Sequence, residues 1–150
     1  MCIRDRLYRE AIALYQATAG SFAARALAEE PDIVRAIGRL LHDAADVFAS
    51  AAGAHGCMIT TAPDGIEETP LTLLGRALRA EGVTRLAERI EQAKAAGEVR
   101  ADVDSAAWAR LVAGIVQGMS VQARDGASLD QLHATAALAA EMVATLRPSA

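Results

Sequence analysis

Apolar residues return every three or four positions in five successive stretches of this chain, and residues that start or stop helices punctuate them. That spacing gathers the apolar side chains on one face of a 3.6-residue turn, so each stretch reads as an amphipathic helix. The first covers residues 7–29, with Leu7, Ala11, Leu14, Tyr15, Thr18, Phe22 and Ala26 on its apolar face. Glu30-Pro31-Asp32 restarts the chain, because proline suits the first turn of a helix and disfavours helix in the residue before it. A second helix carries Ile33, Ile37, Leu40, Leu41, Ala44, Val47 and Phe48 and ends near Gly53. Residues 56–62, followed by Pro63-Asp64-Gly65, read as one or two helical turns before a chain reversal.

Thr69-Pro70 places a capping hydroxyl just ahead of proline at the first helical position. The third long helix that follows runs through Leu74, Leu78, Leu86 and Ile90 to Ala96, with Gly97 as its stop and a kink or break expected near Gly82. Asp104 caps a fourth, whose stripe is Trp108, Leu111, Val112, Ile115, Val116 and Met119 and which Gly126 ends. Ser128 and Gln131 form a capping box for the last, residues 129–146, before Pro148. With 36 alanines among 150 residues, the composition agrees. The expected fold is all-α, an antiparallel bundle of five long helices plus one short one in a single domain.

Charge and cysteine usage narrow the function. The formal net charge is −4, and the 15 Lys and Arg are dispersed among 19 Asp and Glu, so no phosphate-binding stripe stands out. Cys2 and Cys57 form neither a CxxC pair nor a Cys/His ladder, so neither a disulfide framework nor a metal site is expected, and no cofactor either. Arg110 and Gln117 interrupt the most apolar stretch, which makes it a buried helix and not a membrane anchor. A cytoplasmic setting is expected.

The chemistry-bearing residues are sparse. No phosphate loop, HExxH or GxSxG motif is present. His55 and Cys57 would be half of a metal or redox site, but no third ligand lies near in sequence, and Cys57 reads better as a small buried apolar residue after a tight turn at Gly56. His42, with Asp43 and Asp46, reads as a solvated helix face, and His133 as a surface or interface residue. Gly114-x-x-x-Gly118 lies on the most apolar helix and permits close approach of a neighbour. The last two helices carry more apolar surface than one core requires, which points to a homodimer interface at Trp108, Ile115, Gly118, Met119, Leu132, Met142 and Val143. Tyr15, Phe22, Phe48 and Met58 are the bulky side chains able to line a ligand cavity between the first, second and third long helices, where alanine leaves space.

Four short motifs occur in one order along the chain: Leu7-Tyr8-Arg9-Glu10-Ala11, Gly56-Cys57-Met58, residues 96–104 (AGEVRADVD) and residues 117–127 (QGMSVQARDGA). Together they resemble the C-terminal domain of TetR-family transcriptional regulators. The resemblance implies an effector-binding and homodimerising domain, a small apolar or amphipathic effector, and operator DNA contacted only through an N-terminal helix-turn-helix. Residues 1–6 (MCIRDR) resemble an in-frame adapter scar, so the expected domain is residues 7–150 with the DNA-reading half truncated. A small helical enzyme using His55 and Cys57, or a helical scaffold protein, are the alternatives.

Overall fold

The computed structural model describes residues 3–50, 53–61 and 68–149. Among these, all regular structure is helical: α1 (Ile3–Ala17), α2 (Phe22–Glu29), α3 (Ile33–Phe48), α4 (Pro70–Ala95), α5 (Ser105–Arg124) and α6 (Leu129–Ala144), with a 3-10 turn at Ala19–Ser21 between α1 and α2. The expected all-α bundle is therefore present. None of the described helices is long and apolar enough to cross a membrane.

Helix α3 is the hub. Asp32 caps it by accepting from the Arg35 N–H at 2.9 Å, and its stripe of Ile33, Ile37, Leu41, Ala44 and Phe48 is fully buried. It packs against α2 on one side and α6 on the other, while α4 pairs with α5 across the remaining face. The later caps form as their residues dictate. Thr69 accepts from the Thr72 N–H, and the Thr72 hydroxyl accepts in return from the Thr69 N–H at 2.9 Å. Asp104 accepts from Ala107, and Ser128 and Gln131 complete their reciprocal box. Gly97 and Gly126 stop their helices at φ of 78° and 100°, a region in which a side chain is strained.

Three expectations need correction. The first helix is two helices, because the chain turns at Thr18–Ser21: the Thr18 hydroxyl donates to the Leu14 carbonyl, and Gly20 lies so close beneath the Tyr15 ring that a Cβ would sit 2.5 Å from it. Helix α4, by contrast, is unbroken at Gly82, which is exposed and has open space around it. Helix α1 begins at Ile3, four residues before the expected start at Leu7; Met1 and Cys2 lie outside the described residues, as does the Pro63-Asp64-Gly65 turn.

Candidate functional site

A cavity of about 300 Å³ opens where the α1–α2 turn, α3, α4, α5 and residues 57–60 meet. Its wall is chiefly apolar in area, with Phe22, Leu27, Leu40, Leu86, Val112 and Val116 contributing, and polar side chains such as Tyr15, Cys57, Arg79, Glu81 and Gln117 are set among them.

The segment bearing Cys57 is pinned from three directions. Gly56 donates its N–H to the Phe48 carbonyl at the end of α3, and the Cys57 N–H donates to the buried Ser120 Oγ of α5 at 2.7 Å. Arg79 of α4 donates to the Ile59 carbonyl at 3.0 Å. Gly56 has φ of 90°, and a Cβ there would lie 2.9 Å from the Ser120 carbonyl oxygen, so glycine is what lets the segment approach α5 this closely. The residues then make a single turn, with the Thr61 N–H reaching the Cys57 carbonyl.

Tyr15 is the distinctive polar group of the wall. Its hydroxyl is buried and lies beside the Cys57 thiol and the Met58 backbone. Burial, reinforced by the thiol, raises its pKa well above the ordinary phenol value of 10.0, so the group stays neutral and able to donate.

Of the four expected cavity residues, Tyr15 and Phe22 line the cavity and the other two do not. Phe48 is wholly buried behind Phe22, edge to face with ring centres 5.6 Å apart. Met58 is half-buried outside the lining, because the pinned turn directs its neighbour Cys57 inward instead. The cavity also draws a wall from α5 through Val112, Val116 and Gln117, beyond the three helices expected to enclose it. Cys57 is buried, as its reading as a small apolar residue requires.

The expected interface residues divide. Met119, Leu132 and Val143 are completely buried within the single chain, so they belong to its own core and have no surface to offer a partner. Trp108, Ile115, Gly118 and Met142 are half-buried. Leu111, Val121 and Leu138 were not chosen, yet they are 45%, 48% and 68% exposed. A Cβ on Gly114 or Gly118 would meet nothing within 4 Å, so the close approach these glycines permit is not used inside the chain.

No protein-family model matches the chain, and no curated protein matches it. Solved structures do. A cysteine-substituted form of the TetR family transcriptional regulator CifR, complexed with 26-base-pair operator DNA, is 27% identical, with a TM-score of 0.80 over 90% of this chain and 72% of that one. A second cysteine-substituted CifR, also complexed with operator DNA, gives 26% identity and a TM-score of 0.79 over 95% of this chain and 73% of that one. A TetR transcriptional regulator from Rhodococcus sp. RHA1 is 31% identical, with a TM-score of 0.71 over 85% of this chain and 67% of that one.

Proposed function

Since the chain belongs to the TetR family of transcriptional regulators, which are not enzymes, we propose that it is the effector-binding and dimerisation half of such a regulator, with operator DNA read by an N-terminal helix-turn-helix module of a longer protein. The observation that carries this reading is the chiefly apolar cavity where the α1–α2 turn, α3, α4 and α5 meet, with Tyr15 among its lining residues. Ligand pockets are mostly apolar with a few placed polar groups, and begin at about 300 Å³. A small apolar or amphipathic molecule suits this one. Because α5 supplies one wall and is tethered to the Cys57 segment, a ligand that spreads the wall displaces α5. Effector and operator are then coupled if they favour different arrangements of two subunits.

Helix α5 also supports the dimer. Leu111, Gly114, Gly118 and Val121 follow one another at helical spacing along an open face, and Leu138 is exposed on α6. Light scattering at high micromolar concentration should give a dimer, and Gly118→Leu should convert it to monomer. The added side chain has open space within the chain, so its effect falls on the partner. A monomeric wild-type chain would overturn the dimer.

The cavity is tested separately with the fluorescent amphipathic probe anilinonaphthalene sulfonate. Binding should saturate, and Ala113→Phe, which adds a ring to the wall, should weaken it at least about tenfold without changing the circular dichroism. Equal binding by this variant would remove the cavity from the mechanism. In a gel-shift titration the chain alone, with net charge −4, should show no sequence-specific DNA binding at physiological salt. Specific binding would overturn the assignment of operator contacts to a separate module.

A further inference from the structure

Helices α3 and α6 pack along one another, and at the solvent edge of their seam three chemistry-bearing side chains converge. His42 and Asp46 stand four residues apart on α3, hence on one face, and His133 reaches them from α6. The two imidazoles are stacked, ring centres 4.4 Å apart and planes inclined by 15°. Each oxygen of Asp46 meets one ring: Oδ1 lies 2.8 Å from His133 Nε2, and Oδ2 lies 3.5 Å from His42 Nδ1. One donor atom from each of the three residues lies within 4.8 Å of the others.

We propose that His42, Asp46 and His133 bind a single divalent transition-metal ion, of the zinc, cobalt or nickel class, that clamps α3 to α6. The donor set decides the class. Two imidazoles and one carboxylate suit borderline metals, whereas magnesium and calcium take oxygen ligands almost throughout. The spacing is within reach of side-chain rotation. Metal–ligand distances of about 2.0–2.2 Å in tetrahedral geometry put neighbouring donors about 3.3 Å apart, and here the rings are stacked and meet different oxygens of Asp46 at 2.8 and 3.5 Å, so binding one ion requires a ring to turn out of the stack. An ion would replace the proton shared between His133 and Asp46, and the half to more-than-half exposure of the Asp46 and His42 side chains leaves them free to turn toward it. Water would complete the coordination from the open side. Asp43 stands beside the cluster, its carboxylate 3.7 Å from His42 Nδ1 and paired with Arg39 at 3.4 Å.

Cobalt(II) is the direct probe, because its visible ligand-field bands report nitrogen and oxygen ligation. Titrating the full chain should give bands that saturate at one ion per chain and that zinc displaces. Zinc, but not magnesium, should raise the melting temperature, and a chelator should reverse the rise. His42→Ala and Asp46→Asn lie at exposed positions and should leave the metal-free melting curve unchanged, while each weakens cobalt binding at least about tenfold, as should His133→Ala. His55→Ala and Cys2→Ser should bind as the wild type does. The proposal is overturned if cobalt produces no saturating bands, if the three cluster variants bind as tightly as the wild type, or if Cys2→Ser or His55→Ala abolishes binding.

Discussion

Helices α3 and α4 both begin at a side-chain cap and both cross the bundle, yet they bury themselves very differently. Nine of the 16 residues of α3 are buried, against six of 26 in α4. The buried positions of α4 fall into two groups, Leu71, Thr72 and Gly75 near its start and Leu86, Ile90 and Ala93 toward its end. Between them, Leu78, Arg79, Gly82 and Val83 border the cavity. A helix with a dense apolar stripe closes the core around itself, while one whose stripe thins in the middle leaves room there. The cavity thus lies along the stretch of α4 that contributes no buried side chain, and α3 is what keeps the fold intact around it.

The sharpest way to break this contrast is to truncate one large side chain from each helix. Phe48→Ala on α3 should cost about 3–5 kcal/mol, since it empties a wholly buried site against Phe22. Leu78→Ala on α4 should cost less than about 1 kcal/mol, because that side chain is half-buried beside existing space. Urea denaturation of both variants measures the difference. Equal losses would mean that the middle of α4 is as tightly packed as α3.

The same contrast explains what could be read from the amino acids. The caps at Thr69, Asp104 and Ser128 and the stripe of α3 were legible, because each is set by residues within one turn or by an uninterrupted period. The break at Thr18–Ser21 was not, since the apolar period passes straight through it and the Tyr15 ring over Gly20 decides it. Tyr15 and Phe22 could be chosen for the cavity by size alone. Cys57 in place of Met58 could not, because the direction of that turn depends on Ser120, 63 residues away. Helix α5 is apolar on more than one side, with Val112 and Met119 inward and Leu111 and Val121 outward. Periodicity cannot orient such a helix, which is why Met119 was expected at an interface. His42 and His133, 91 positions apart in sequence, meet only through the α3–α6 seam.

Gly82→Ala sharpens the comparison from the stabilising side. The position is helical, exposed and open, so alanine should raise stability by about 0.5–1 kcal/mol through the reduced freedom of the unfolded chain. A loss on thermal or urea unfolding would show that the middle of α4 needs glycine for a bend or a close contact.

The smallest effect separates the two caps by their pH dependence. Thr69 caps α4 with a neutral hydroxyl, but Asp32 caps α3 with a carboxylate that also takes a bidentate pair of hydrogen bonds from Arg147, at 2.8 and 2.9 Å. Those bonds from Arg147, aided by the Arg35 N–H and opposed by partial burial, hold the Asp32 pKa below its ordinary 3.8. A carboxyl whose folded pKa is depressed contributes stability above its unfolded pKa and loses it as pH falls through the folded value. Asp32→Asn keeps a good cap and removes the charge, so it should cost about 0.5 kcal/mol at neutral pH. That deficit should shrink toward zero as the pH is lowered below the ordinary carboxylate range. Thr69→Ala should cost about 1 kcal/mol at every pH, since no titrating group is involved. A pH-independent deficit for Asp32→Asn would mean that Arg147 adds nothing to the start of α3, and that the two helices are held at their N-termini in the same way.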